Sequence, residues 1–362
     1  MKIRLLGEPA VIMSNPHSKH NYFAWPSVTR LQNGMIAAVA SGYRLRHVCP
    51  FGKTVISYSA DDGESYTLPA AVIDTPLDDR DGGIVPFGKS GVIVTSFNNK
   101  VAFQRGRKEA DPYSLAYLDT VCQEEEDRFL GSTFRVSLDG VVTFGEIYKS
   151  PVTSPHGPLE LADGSLLWVG WTFNTDGQHQ PETDRIKAYR LNPTDGSMEY
   201  MGQIENIRNG EATTLSCEPH SIQLEDGTIL THIRVEQKGE DRLFTIYQSE
   251  STDNGRTWTT PHPILSRLGG SPPHLFRHSS GLLLCTYGYR EAPYGVKVMF
   301  SADNGKTWDT DHDLYVNGVN LDLGYPCTVE RRDGTLLTVF YAHPTADSPA
   351  VILQQRWQIE EA

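Results

Sequence analysis

The sequence predicts an all-β fold, a six-bladed β-propeller of four-stranded antiparallel blades, on three observations. One strand–turn–strand pattern occurs six times along the 362 residues. The glycines that end its turns recur at spacings slightly longer than a propeller blade. A second, acidic turn motif recurs in phase with the first. Length alone allows two or three domains, but a repeat of this kind favours one propeller domain over 1–362.

Each copy of the first pattern opens near a proline or glycine, alternates apolar residues, and turns at a glycine. The copies are Trp25-Pro-Ser-Val-Thr-Arg-Leu-Gln-Asn-Gly34, Gly82-Gly-Ile-Val-Pro-Phe-Gly-Lys-Ser-Gly91, Pro155-His-Gly-Pro-Leu-Glu-Leu-Ala-Asp-Gly164, Glu218-Pro-His-Ser-Ile-Gln-Leu-Glu-Asp-Gly227, Pro272-Pro-His-Leu-Phe-Arg-His-Ser-Ser-Gly281 and Tyr325-Pro-Cys-Thr-Val-Glu-Arg-Arg-Asp-Gly334. Asn-Gly and Asp-Gly suit two-residue hairpins, whose geometry needs positive φ. The turn glycines stand 57, 73, 63, 54 and 53 residues apart. A propeller blade takes roughly 40–50, so these blades carry added loops. The largest addition, about 103–130 in blade two, contains Glu124-Glu-Glu-Asp127; it reads as a short helix or lid, or as a solvated loop. The first strand, Arg4 to Met13, is expected to complete the blade that ends at Val351–Ile359, which removes an open sheet edge.

The second motif is Ser59-Ala-Asp-Asp-Gly-Glu-Ser-Tyr66, Ser251-Thr-Asp-Asn-Gly-Arg-Thr-Trp258 and Ser301-Ala-Asp-Asn-Gly-Lys-Thr-Trp308. Ser137-Leu-Asp-Gly140 and Thr194-Asp-Gly196 read as degraded copies. The Asp can accept hydrogen bonds within its own turn, Gly supplies the turn geometry, and the aromatic packs beneath. These turns are expected to staple outer strands and to do no chemistry.

Bulk properties exclude some functions. A net charge of -13 argues against nucleic acid or an anionic membrane as the main partner, since both need a cationic surface. No apolar run is long enough for a membrane span. Glu8 comes too early for a signal-peptide core, so a cytoplasmic protein is expected, or a secreted one if a leader was removed. The five cysteines, Cys49, Cys122, Cys217, Cys285 and Cys327, show no spacing that suggests zinc or a disulfide framework. No cofactor is expected. Oligomeric state is not legible.

The repeat also serves as a coordinate system. The start of each inner strand and the end of its neighbour reach the same mouth of the channel. Nine residues before each turn glycine stand Trp25, Gly82, Pro155, Glu218, Pro272 and Tyr325; seven after it stand Ser41, Asn98, Trp171, Arg234, Gly288 and Tyr341, with Arg290 two further on. Flanking positions add Asp81, His156, His220 and His274. The three histidines come from three blades without local ligand spacing, so hydrogen bonding to a ligand's hydroxyls is expected of them rather than a metal. Trp25 and Trp171 suit either stacking on a sugar face or packing in the channel. A tyrosine hydroxyl, with a pKa of about 10, is a poor nucleophile unless a neighbouring carboxylate acts as its base. Glu218 and Tyr325 form such a pair; the alternative is a plain polar core network with Arg234.

At these residues the chain resembles the sialidase superfamily, whose Asp boxes the second motif matches. The segment from Cys217 to Arg234 looks like the one that carries the sialidase catalytic Glu and a carboxylate-binding Arg. The segment from Gly324 to Leu337 looks like the one that carries the nucleophilic Tyr. Arg290 falls near another Arg of their triad. The resemblance implies a glycoside hydrolase acting on a terminal, acidic sugar, with Tyr325 as nucleophile, Glu218 as its base, and Arg234 and Arg290 on an anionic group. Two departures stand out. Phe23-Ala-Trp-Pro26 replaces the Phe/Tyr-Arg-Ile-Pro motif, so the first arginine is missing. The position of the general acid falls near His47 rather than an Asp, and Asp81 is the second candidate. Two other functions stay open: a polysaccharide lyase using Tyr325, His156, His220 and Arg234, and a carbohydrate-binding propeller without catalysis.

Overall fold

The structure, a computed structural model, describes residues 1–178, 180 and 185–360. Six sheets form the blades. Blade one comprises Tyr22–Arg30, Ile36–Arg44, Lys53–Ser59 and Ala70–Ile73. Blade four comprises Leu215–Gln223, Ile229–Gln237, Leu243–Ser251 and His262–Pro263, and blades two, three and five repeat that order. Blade six takes its inner three strands, Gly324–Glu330, Leu336–Ala342 and Val351–Glu360, from the end of the chain. Its outer edge comes from the beginning, where Lys2–Leu5 and Ala10–Met13 both pair with Val351–Glu360. The expected closure therefore occurs, in two short pieces rather than one strand. Pairing the two ends of the chain leaves the ring without an open edge.

Blades adhere through apolar faces. Trp25, Val28, Ile36 and Val55 of blade one pack in one cluster with Tyr325, Leu337, Val339 and Ile352 of blade six. Leu31, Val39 and Ile56 of the same blade meet Ile84, Val92 and Val94 of blade two. Second strands such as Gly91–Phe97 and Leu336–Ala342 are buried at every residue because each blade is covered there on both faces.

The acidic turns lie between the third and fourth strands of their blades. In each, the first Ser donates to the Asp, and the Asp accepts from the backbone and side chain four residues on, as in Ser65→Asp61, Thr257→Asp253 and Thr307→Asp303. Asp139 makes the same set with Ser137 and Thr143, so that copy is complete in function despite its sequence. Asp195 instead accepts from Ser197, two residues on, in an ordinary turn. These turns also bridge blades. Gln354 of blade six donates to the Gly63 carbonyl at 2.8 Å, and Gln248 of blade four donates to the Gly305 carbonyl at 2.9 Å.

The insertion in blade two folds as three short helices, Val101–Arg105, Pro112–Leu118 and Gln123–Phe129. It is anchored by Gln104, whose amide donates to Asp78 at 2.8 Å. Asp78 is itself paired with Arg44 at 2.6 Å, both fully buried. No helix among the described residues is long and apolar enough to cross a membrane.

Candidate active site

Four inner strands begin with the same irregularity. Their ladders slip between Ala24 and Ser27, Arg80 and Gly83, Cys217 and His220, and Gly324 and Cys327. Inside each slip sits one non-glycine residue with positive φ: Trp25 at 53°, Asp81 at 49°, Glu218 at 47° and Tyr325 at 50°. Proline follows Trp25, Glu218 and Tyr325 and removes a ladder N–H, which favours a bulge there. A left-handed backbone at such residues costs of order 1–3 kcal/mol each and persists only where the surroundings enforce it. All four side chains line one cleft of about 380 Å³ at the channel mouth. In blade two the mouth residue is thus Asp81, one position before the Gly82 expected by counting.

Glu218 and Tyr325 meet at the centre. The Tyr325 hydroxyl donates to Glu218 Oε1 at 2.7 Å. Arg234 donates to Glu218 Oε2 at 2.7 Å, to Tyr325 Oη at 3.2 Å and, through its other terminal nitrogen, to Glu236 at 2.7 Å. Burial pushes the Tyr325 phenol well above its ordinary pKa, and the Glu218 charge adds to the shift. Burial works against the Arg234 charge, but its neighbours together, Glu218 foremost and Glu236 among them, outweigh it and hold the guanidinium protonated. The cluster is therefore a neutral phenol, a carboxylate and a cation in a dry setting, where each hydrogen bond is stronger than in water.

Two other groups in the cleft can carry protons. Asp81 is buried, and one of its oxygens has no hydrogen-bond partner. Burial raises its pKa to about 7; Arg80 opposes the shift and Glu218 adds to it. His47 also lines the cleft. Its Nδ1 lies 2.9 Å from Asp322 Oδ1 and 3.1 Å from Tyr22 Oη. Desolvation in the cleft wall pulls its pKa down while Asp322 opposes this, and the side chain is about half exposed. Asp322 is a hub absent from the sequence reading. It also accepts from Tyr22 at 2.8 Å and Tyr341 at 2.9 Å, and lies 3.0 Å from His343 Nε2.

Arg290 lines the same cleft and donates twice to the Leu323 carbonyl, at 3.2 and 3.1 Å. Trp171 is there too, at the end of an aromatic row in which it meets Phe173 and Phe173 meets Phe97. Trp25 lies in the wall with Arg44 and Arg80 over its ring. The insertion contributes Phe103 and Arg107 to the rim. The cleft is lined by five cations (Arg80, Arg107, Arg234, Lys238, Arg290) against three acids (Asp81, Glu218, Glu236), the reverse of the protein's overall sign. Arg80, Asp322, Phe97, Phe173, Glu236 and Lys238 escaped the sequence reading. Arg80 was open to register counting, because it faces Phe97 as Cys217 faces Arg234 and Gly324 faces Tyr341.

The three histidines are elsewhere, which corrects their expected place at the mouth. His156, His220 and His274 cluster with ring centroids 4.5–5.2 Å apart. They line a separate cavity of about 480 Å³ bounded by the far ends of the inner strands. His220 Nδ1 accepts from the Leu275 N–H at 2.9 Å, and His274 Nδ1 from the Thr328 N–H at 3.3 Å. A neutral ring that accepts at Nδ1 carries its proton on Nε2, so neither offers a metal a lone pair there. Burial lowers the pKa of all three, that of His220 to about 3. Among the described residues no group of His, Cys, Asp and Glu could hold a metal ion.

Comparison with known proteins agrees with this architecture. The family model described as a BNR repeat-like domain matches residues 149–338. No curated protein matches the chain. Among solved structures, a protein of unknown function from Dyadobacter fermentans is 18% identical with a TM-score of 0.77, covering 99% of both chains. The NanB sialidase from Streptococcus pneumoniae is 12% identical with a TM-score of 0.69, over 98% of this chain and 71% of that one. The intramolecular trans-sialidase from Ruminococcus gnavus is 14% identical with a TM-score of 0.63, over 98% and 99%. At such identities the likeness is one of fold.

Proposed function

The chain belongs to the BNR repeat-like domain family, and from that premise we propose that it is a sialidase-like glycoside hydrolase acting on a terminal, acidic sugar. The observation that carries this reading is the 2.7 Å hydrogen bond from Tyr325 to Glu218 inside a cation-rich cleft. A neutral phenol suits attack beside an anionic substrate, where a carboxylate nucleophile would be repelled. Tyr325 passes its proton to Glu218 as its oxygen bonds to the anomeric carbon, and the bond to the leaving oxygen breaks. Asp81 fits the acid that protonates that oxygen: with a pKa of about 7 it holds a proton at working pH. His47 is the weaker acid candidate, because its Nδ1 is engaged with Asp322 and Tyr22. Water then releases the sugar from Tyr325, with Asp81 as base.

The elimination reading required His156 and His220 beside Tyr325, and both line the other cavity. A panel of aryl glycosides, including sialic acid and uronic acid derivatives, tests the hydrolase. Turnover that disappears in Tyr325→Phe supports it. Absence of turnover on every member, with ligand binding unchanged in Tyr325→Phe, sinks it in favour of a binding propeller. An unsaturated product absorbing in the ultraviolet identifies a lyase.

A further inference from the structure

Two guanidinium groups rest over the ring of Trp25, and they differ in every other respect. Arg44, with Cζ 4.9 Å from the ring centroid, is fully buried. Its donors meet Asp78, the Ser41 hydroxyl and the Asp79 and His47 carbonyls. It is a structural cation with its charge answered. Arg80 lies with Cζ 4.7 Å from the same ring and 5.4 Å from that of Phe97. Among the described residues no acceptor takes a hydrogen bond from it, and no carboxylate forms an ion pair with it. Its Nε is shut away from solvent without a partner. A guanidinium held by its flat face on aromatic rings keeps its N–H edge free for a bidentate acceptor.

The other cations of the cleft are less available. Arg234 is held between Glu218 and Glu236. Arg107 pairs with Glu109 at 3.3 Å. Lys238 is exposed at the rim and remains hydrated. Arg290 is fixed by the Leu323 carbonyl, which engages its Nε and one Nη2 hydrogen and leaves Nη1 without an acceptor among the described residues. We propose that Arg80, seated on Trp25 and Phe97, is the receptor for the ligand's carboxylate, with Arg290 as its second donor, and that Arg234 serves the Glu218–Tyr325 pair instead. The proposal deepens the reading of the cleft as an acidic-sugar site and reassigns the residue that recognises the acid. It also gives Trp25 a role: the indole that stands in the blade-one mouth position is the platform that holds Arg80.

Isothermal titration with N-acetylneuraminate, glucuronate and galacturonate, each against its methyl ester, tests the assignment. The wild-type protein is expected to bind one acid roughly 10- to 100-fold more tightly than its ester, as for a charge-assisted bidentate pair. Arg80→Gln should erase that preference, the affinity for the acid falling to that for its ester. Arg80→Lys, which keeps charge but loses the planar fork, should restore part of it and guards against a folding defect in the first variant. The proposal fails if Arg80→Gln retains the preference, if Arg234→Gln alone abolishes it, or if the wild-type protein does not distinguish acid from ester. Aryl-glycoside turnover is scored separately. Hydrolysis without acid preference overturns the Arg80 assignment and leaves the hydrolase reading intact; Arg80-dependent acid binding without hydrolysis does the reverse.

Discussion

The two ends of the central channel are built from the same inner strands yet have opposite chemistry. At one end Trp25, Asp81, Glu218 and Tyr325 stand on left-handed residues at a bulge and gather charge in a cleft. Two residues along, on the regular part of the ladder, Ser27, His220 and Cys327 are neutral and hydrogen-bonded. A regular strand would turn residues i and i+2 to the same face. The bulge between them breaks that rule and sends Glu218 to the mouth while His220 stays inside the channel. Backbone strain is therefore confined to the end where ionisable groups gather, and the other end follows ordinary core rules.

The largest expected effect breaks this comparison directly. Glu218→Gln should lower kcat on any hydrolysed glycoside by about 10²–10⁴, the usual contribution of a positioned base. His220→Gln, only two residues away, should leave kcat and KM within about twofold. Steady-state kinetics on the two variants checks both. Equal losses would mean that the two ends work as one site.

Asp81 gives the next effect. Its proton is needed if it is the acid, so the rate should fall as pH rises through about 7. Asp81→Asn should lose at least about 10²-fold in kcat and abolish that limb of the pH profile. Stability should move the other way. In the folded chain burial holds the proton up to about pH 7, whereas the unfolded chain loses it near 3.9. Across that window the folded state binds more protons, so stability is full below about pH 4 and declines as pH rises towards and through 7. Asp81→Asn removes the decline, and chemical denaturation should show its gain over wild type to be larger at pH 8 than at pH 5. A pH profile unchanged by the substitution would instead return the acid role to His47.

The fold and the Glu218–Arg234–Tyr325 group were legible because hairpin turns fix register, and register carries from each turn glycine to the mouth as long as the ladder is regular. His220↔His232 and Thr328↔Thr338 keep the counted register, and beyond the bulges Arg234 and Tyr341 face Cys217 and Gly324, one residue from the counted Glu218 and Tyr325. The count failed at the bulges. In blade two it pointed to Gly82 instead of Asp81, and in blade four it took His220 for a mouth residue because parity cannot register an inserted residue. Asp322 was invisible for another reason. It lies in the loop before Gly324, outside the repeat, and its partners Tyr22, His47, Tyr341 and His343 come together only when blade one closes on blade six.

At the inner end, the effect expected is on stability alone. His274→Ala leaves a cavity beside the His156 and His220 rings and removes the acceptor for the Thr328 N–H, for a cost of about 1–3 kcal/mol. Urea denaturation should show that loss with KM unchanged. A shift in KM would place the histidine cavity in contact with substrate.

The smallest effect separates true acidic turns from their look-alike. Asp253 accepts three hydrogen bonds from Arg256 and Thr257, besides that of Ser251, and its pKa is pulled down to about 2 by them. The turn it organises places Gly255 against Leu167 and Ala188 of the neighbouring blade. Among the described residues the Asp195 side chain accepts from Ser197 alone. Asp253→Ala should therefore cost about 1–2 kcal/mol, in the range of a lost multi-bond cap, and Asp195→Ala clearly less. The difference arises because the first Asp holds a turn that two blades share, whereas the second closes a hairpin of its own blade. Thermal unfolding of the two variants measures it, and equal shifts would mean that the turn motif contributes nothing beyond an ordinary hairpin.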